Sequence, residues 1–310
     1  MTILLLIMVT FFFGGCAGSQ PVWGPEIKSA NSVKSSHRTQ LFDKESEAKL
    51  AKISEYEMSA YEHEIMGDGL LKKGNLHLAY VHYEKSLQKA KDNIRVQYKL
   101  GITLLAGGQF EEAISQFHVV LVQDPRYALA HQGLGKAYFK QKNFTKAEEH
   151  FQAALALDPK LWQANNYLGN IYDFQGRHEE AIQEYQLALA VKPNKGLVYA
   201  NLGVSYALTG DHKKAVGAFN KALETGHAES KVYNNLGLSL AQLGKYPSAL
   251  DAFKKAVGEA QAYNNLGCIY LEQGKRQEAI DCFEKAVKID PKFYVKANEN
   301  LNKARKMASR

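Results

Sequence analysis

One short pattern occurs three times in the sequence, as VYANLG at 198–203, VYNNLG at 232–237 and AYNNLG at 262–267. Each ends in glycine, and alignment on that residue extends the series towards the N-terminus. The aligned glycines are Gly67, Gly101, Gly135, Gly169, Gly203, Gly237 and Gly267. The steps between them are 34 residues, except the last, which is 30. A fixed period of this length predicts a stack of similar supersecondary units.

Other positions of the unit recur with the glycine, and the seventh copy carries all of them. They are Leu266, Gly267, Tyr270, Gly274, Ala279, Phe283, Ala286 and Pro291, at repeat positions 7, 8, 11, 15, 20, 24, 27 and 32. This pattern resembles the tetratricopeptide repeat family. The resemblance implies an all-α fold, in which helical hairpins stack into a right-handed superhelix. The seven repeats span 60–93, 94–127, 128–161, 162–195, 196–229, 230–259 and 260–293, and a capping helix with a basic tail follows at 294–310.

Each repeated position has a packing reason. Glycine at position 8 is expected to face alanine at position 20, as Gly101 would face Ala113, and the aromatics at position 24 are expected to fill the space between hairpins. Glycine at position 15 supplies the left-handed residue that ends the first helix. Repeat 3 has Lys142 there, and the neighbouring Asn143 also tolerates that conformation. Prolines such as Pro125 and Pro159 are expected to stop the second helices.

Repeat 6 is shorter than the others, because it lacks positions 31 to 34 and has Gly258 near the joint. The missing residues predict a local kink before repeat 7. A flexible hinge is the alternative.

The N-terminus, MTILLLIMVTFFFGGC, has the features of a targeting segment. Its apolar run from Ile3 to Phe13 is too short to span a membrane and ends at two glycines, so residues 1–15 are interpreted as a cleaved signal. The sequence FGGC resembles the lipobox of bacterial lipoproteins, which implies that Cys16 is lipid-modified; Ala17 then implies the outer membrane. The alternative is a buried cysteine in an ordinary signal. Residues 16–40 are predicted to be a flexible tether, and 41–59 an N-terminal helix.

Composition and spacing argue against several function classes. The formal charge is +7, but residues 294–310 alone contribute five Lys or Arg and one Glu. With no basic stripe along the repeats, nucleic-acid binding is not predicted. The repeats consume the chain, and the histidines lack zinc-ligand spacing, so we predict no enzyme, cofactor, metal site or small-molecule substrate. Cys268 and Cys282 are predicted to be free thiols.

Two sets of residues are predicted to contact a protein partner, because first helices line the groove in tetratricopeptide proteins. Asn201, Asn235 and Asn265 share position 6, and such a ladder of carboxamides could pair with the backbone of an extended peptide. The alternative is that these asparagines only stabilise the hairpins. The second set is basic and aromatic and suits an acidic or C-terminal segment with apolar anchors. It consists of Arg95, Tyr98, Lys136, Phe139, Lys140, Asn166, Asn170 and Phe174.

Together these features predict a lipid-anchored, non-catalytic adaptor in a bacterial envelope, whose groove binds an extended or helical polypeptide segment. Signal, lipobox and repeats resemble the lipoproteins that assist pilus or secretion machines: the pilotins of type IV pili and the repeat lipoproteins of tight-adherence pili. The alternatives are a scaffold for cell-wall hydrolases and a purely structural spacer.

Overall fold

A computed structural model describes residues 58–290 and 294–308. Within these ranges the chain forms helices joined by short turns, with no strand. The helices are α1 (Ala60–Lys72), α2 (Leu76–Lys89), α3 (Ile94–Ala106), α4 (Phe110–Gln123), α5 (Ala128–Lys140), α6 (Phe144–Leu157), α7 (Trp162–Phe174), α8 (His178–Val191), α9 (Gly196–Leu208), α10 (His212–Glu224), α11 (Ser230–Gln242), α12 (Tyr246–Val257), α13 (Glu259–Glu272), α14 (Arg276–Ile289) and α15 (Tyr294–Ala308). The predicted all-helical hairpin repeat is confirmed. The signal, Cys16, the tether, nearly all of the predicted N-terminal helix and Pro291 lie outside the described residues.

The described helices divide into two compact units, with the boundary between Pro193 and Asn194. The first unit contains α1 to α8 and the second contains α9 to α15. Within each unit, the two helices of a hairpin pack together and the second helix packs on the first helix of the next hairpin. In the second unit α15 packs on α14 and buries Ala297, Leu301 and Ala304.

Glycine at position 8 leaves room for an aromatic ring of the same repeat. A Cβ atom on any of the seven aligned glycines would lie 2.5 to 2.7 Å from the position-24 ring of its own repeat. Gly101, for example, lies against Phe117. The seven rings are at most 1 % exposed. Only a residue without a side chain leaves room for the ring of its own hairpin. Phe117 and Phe151 also pack against the next repeat, on Gly133 and Tyr167, as expected for rings between hairpins.

The turn inside each hairpin depends on a left-handed residue at position 15. Six of the seven repeats place glycine there, with φ between +72° and +81°. In repeat 3 Lys142 itself takes φ +63°, and Asn143 is not the left-handed residue. Asn143 is instead the N-cap of α6, where its side chain accepts a hydrogen bond from the Lys146 N–H at 3.2 Å. The lysine is therefore strained where the other repeats are not.

A single residue joins repeats 6 and 7. Gly258 is both the C-cap of α12 and the N-cap of α13, with φ +83° and ψ +171°. This backbone conformation is essentially restricted to glycine. The two helices that it joins pack against each other.

Polar pairs lie inside two hairpins of the first unit, at repeat positions 4 and 23. The Nδ1 atoms of His63 and His82 are 3.1 Å apart, and those of His131 and His150 are 3.2 Å apart. Burial lowers the pKa of His63 and His82, and it lowers the pKa of His150 to about 4. The rings of His63, His82 and His150 therefore favour the neutral form, in which one ring of a pair can donate the hydrogen bond and the other accept it.

Both cysteines of repeat 7 are buried and free, as predicted. Cys268 is fully buried and receives the Asn300 amide at 3.7 Å from α15. Burial raises the pKa of Cys282 to about 11, so its reactive thiolate form is suppressed at neutral pH.

Candidate protein-binding surface

The candidate site is built on the first helices of repeats 2 to 4. The helices α3, α5 and α7 contact one another in order, α3 with α5 and α5 with α7. The face formed by these helices and the Phe144 ring of α6 is what we call the first-helix surface. All eight residues of the predicted basic and aromatic set lie on the three helices. The structure therefore places this set on neighbouring helices of one unit.

At one end of this surface, the exposed Arg95 forms an intramolecular ion pair. Its Nε and Nη2 atoms donate to Glu64 of α1 at 2.7 and 2.8 Å. Lys99 also donates to Glu64, at 2.7 Å. Burial alone would raise the pKa of Glu64, but the hydrogen bonds from the two cations outweigh it and the pKa falls below its ordinary value. The Arg95 guanidinium thus links repeats 1 and 2.

The Tyr98 side chain packs against other rings and does not project into solvent. It is half-buried, with its ring centroid 5.9 Å from that of Phe117 and 5.4 Å from that of Tyr127. Burial raises the pKa of Tyr98 to about 12, so the side chain stays neutral.

Aromatic rings gather where α5 meets α7. The Phe174 ring is stacked on Phe144 at 5.3 Å and lies 6.3 Å from Phe139, which in turn contacts Tyr167 at 5.1 Å. Phe139 is buried, whereas Phe174 is 43 % exposed. A large ring held by other rings and open to solvent is a rigid apolar contact point.

Two lysines of α5 lie on the same helix as Phe139. Lys140 is exposed and Lys136 half-buried, and neither has a carboxylate partner among the described residues. The Lys136 ammonium donates to the Gln132 carbonyl oxygen at 3.1 Å, and burial lowers the pKa of Lys136. Gln132 is 4 % exposed, and its Nε2 atom has no hydrogen-bond partner. This part of the surface therefore has hydrogen-bond donors in excess of acceptors.

The predicted asparagines of α7 are largely internal. Asn166 is 6 % exposed and Asn170 is 4 % exposed. The Tyr185 hydroxyl, on the second helix of the same repeat, donates to Asn170 Oδ1 at 2.7 Å. Asn170 therefore contributes to the interior of the hairpin.

The asparagine ladder lies in the second unit, on α9, α11 and α13. Asn201 is half-buried, Asn235 is 7 % exposed and Asn265 is 1 % exposed. The Asn235 Oδ1 atom has no hydrogen-bond partner in the free protein. The asparagines of the ladder are thus mostly buried, and Asn201 is the most exposed of the three.

Sequence reasoning missed three members of this surface: Gln132, Phe144 and Tyr167. Phe144 begins a second helix, so it was not expected beside first-helix residues. Gln132 is a neutral side chain, and its unpaired amide becomes evident only when its neighbours are known. The signal that could have found Phe144 is an aromatic residue directly after a hairpin turn.

Two further findings bear on what the protein does. In the described ranges, no group of three or more His, Cys, Asp or Glu side chains is arranged to hold a metal ion. None of the helices that the structure describes has both the length and the apolar run needed to cross a bilayer.

Stacked hairpins with a glycine and ring at each core define a class of helical repeat proteins. The chain belongs to the tetratricopeptide repeat family described as the cilia and flagella-associated protein 70 C-terminal domain, whose profile matches residues 28–264. A tetratricopeptide repeat profile also matches residues 260–293. Proteins of this fold typically bind protein partners, and the scaffolds of this class are generally non-catalytic. Among curated protein sequences no match was found.

Solved structures share the fold. A tetratricopeptide repeat protein from Parabacteroides merdae has a TM-score of 0.52 and 18 % identity, covering 79 % of this chain and 98 % of its own. PilF of Pseudomonas aeruginosa has a TM-score of 0.51 and 24 % identity, covering 66 % of this chain and 95 % of its own. A MamA protein is 31 % identical with a TM-score of 0.46, covering 56 % of this chain and 94 % of its own. The first two likenesses establish the common fold.

Proposed function

We propose that the chain is a membrane-held adaptor that binds an acidic polypeptide segment with apolar anchors on its first-helix surface. By this binding it assists the assembly of an envelope machine such as a pilus or secretion system. The observation that carries the binding site is Phe174, a solvent-exposed ring on an aromatic cluster beside lysines without carboxylate partners.

The chemistry of the surface favours this ligand. An apolar anchor that covers Phe174 would remove its exposed face from water. A carboxylate of the same segment would accept hydrogen bonds from Lys136 and Lys140. Arg95 is not a free cation for this purpose, because Glu64 already holds it.

The asparagine ladder is a second contact region in the same proposal. An extended segment along α9, α11 and α13 would reach Asn201 first, because Asn235 and Asn265 are buried. Replacing Asn201, Asn235 and Asn265 with alanine tests this region separately from the aromatic cluster.

The membrane attachment rests on the sequence around Cys16. An apolar run, two small residues and a cysteine support lipid modification, and acyl chains at about 0.8 kcal/mol per buried methylene would keep the protein on a bilayer. We expect the full chain to partition into detergent on phase separation and the Cys16→Ser chain to move to the aqueous phase. Equal partitioning of the two chains would contradict the anchor.

Peptide binding by the full chain tests the central claim. An array of acidic, neutral and basic peptides, each with and without apolar anchors, is probed with the parent chain and three variants. Phe174→Ala and Lys140→Glu should each lower affinity for acidic anchored peptides by tenfold or more. Lys146→Glu makes the same charge change on α6 of repeat 3 and should leave affinity within about twofold.

The outcomes separate the competing functions. Absence of saturable binding to any peptide would favour a structural spacer. Binding that all three variants retain would place the site elsewhere. In-cell crosslinking through residue 174 then identifies the partner: pilus or secretion subunits support an assembly role, and cell-wall hydrolases contradict it.

A further inference from the structure

A second surface, formed by second helices of the hairpins, carries apolar side chains at solvent-exposed positions. It lies on α4, α6 and α8, the second helices of repeats 2 to 4, at repeat positions 26 and 29. Its members, which we call the outer strip, are Val119, Val122, Ala153, Ala156, Leu187 and Ala190. Val122 is 83 % exposed, Leu187 is 54 % exposed and Val119 is 41 % exposed. These side chains are not part of the packed core.

The fold does not require apolar residues at these positions. In the other four repeats, six of the eight residues at positions 26 and 29 are charged. The eight residues are Lys85, Gln88, Lys221, Glu224, Lys255, Gly258, Lys285 and Lys288. Because those hairpins pack in the same way, the apolar strip needs an explanation other than stability of the hairpin.

Charge is also depleted around the strip. The outward positions 22 and 25 of the same three helices are Ser115, His118, Glu149, Gln152, Gln183 and Gln186. Glu149 is the single carboxylate, and none of the six is lysine or arginine. The centres of protein interfaces are depleted in charge in this manner. Surfaces that lie on membranes carry Lys and Arg beside the apolar face, and this surface does not.

The sizes of the side chains along the strip are complementary to those of a second copy of the strip. The middle repeat offers small residues, Ala153 and Ala156, between the bulkier Val119 and Val122 on one side and Leu187 on the other. A two-fold axis at the middle helix would bring α6 against its own copy, where small side chains allow close approach. The same rotation would set the valines of one chain opposite the leucine of the other.

We propose that the outer strip pairs two copies of this chain about a two-fold axis along α6, so that the repeats of one copy run in the opposite order to those of the other. A standard interface takes roughly 20 to 30 residues a side, and the strip with its flanks supplies about half of that. The pair is therefore a weak one that forms in the micromolar range. It leaves the first-helix surface of each copy open, so that one assembly presents two ligand sites.

Cysteine crosslinking on the full-length chain in mild detergent tests the axis. Ala156→Cys lies on the axis and should give at least ten times more covalent dimer with a short bismaleimide than Glu224→Cys, its equivalent in repeat 5. The parent chain, with its own cysteines, sets the background. In a mixture of differently tagged chains, Val122→Cys should crosslink to Leu187→Cys more than either does to itself.

Sedimentation of the same chains gives an independent measurement. The parent should show a concentration-dependent dimer that the Val122→Glu, Leu187→Glu double variant abolishes, while circular dichroism confirms unchanged helix content. Equal crosslinking of Ala156→Cys and Glu224→Cys would overturn the proposal. So would a parent that stays monomeric to about 100 µM.

Discussion

The histidine pairs predict that repeat 3 loosens as the pH falls from 6.5 towards 5. His131 and His150 lie 3.2 Å apart between Nδ1 atoms, so protonating both would set two N–H donors against each other. The Tyr138 ring stacks on His150 at 5.5 Å, His118 lies 6.4 Å away between ring centroids, and Lys146 adds positive charge nearby. No carboxylate of the described residues is paired with His150.

The size of the loss in unfolding free energy follows from the shifted pKa of His150. Burial holds this pKa at about 4, against 6.5 for an unperturbed histidine. Because the folded pKa is depressed, the unfolded hairpin binds the proton first, and stability that is complete above pH 6.5 is lost as the pH falls towards 4. The full difference corresponds to about 3 kcal/mol, and partial exposure of His150 reduces our expectation to about 1 to 2 kcal/mol.

Hydrogen exchange of the full chain measures the loss of stability in repeat 3 separately from the other repeats, since repeats can unfold as separate units. The His131→Gln, His150→Gln double variant is the control, because repeat 2 already has Gln97 and Gln116 at the equivalent positions. Between pH 6.5 and 5, protection of α5 and α6 should fall by about 1 kcal/mol more in the parent than in the variant, after correction for the intrinsic exchange rate. The reasoning is refuted if the two chains lose protection equally.

Three further predictions concern stability and are measured by denaturant unfolding. Lys142→Gly should stabilise the chain by about 0.5 to 1 kcal/mol, since it relieves a left-handed lysine; a loss of stability would contradict that origin. Gly67→Ala should cost about 1 to 3 kcal/mol, because the new Cβ would lie 2.6 Å from the Tyr83 ring. Gly69→Ala on the same helix meets nothing and should gain about 0.5 to 1 kcal/mol; similar effects at both sites would exclude the ring as the cause. Glu64→Gln should destabilise the chain, because Arg95 loses its carboxylate partner and Lys99 keeps only Asp68, and a neutral result would mean that the Glu64 ion pairs contribute no net stability.

The repeat and its turns could be predicted closely because their constraints are local. A left-handed residue is needed two residues after the end of each first helix, so the glycines at position 15 mark the turns directly. The error at Lys142 arose because asparagine has the higher intrinsic preference for that conformation, whereas the structure uses Asn143 to cap α6.

The candidate site was less predictable, since side chains choose partners across repeats. Arg95 looked like a free groove cation, yet its partner Glu64 lies 31 residues earlier. Lys140 is exposed, and Phe174 stays 43 % exposed although it stacks on Phe144 of a neighbouring helix. No property of these residues alone distinguishes the two cases.

The sequence by itself determined the period, the helical class and the number of hairpins, because small residues, rings and turn glycines act within one repeat. Only the tertiary structure decided that the position-8 glycine faces a ring, that histidines pair inside two hairpins, and which predicted contact residues are exposed. Those outcomes depend on the distances between helices, and burial and hydrogen bonding at such distances involve residues far apart in the chain.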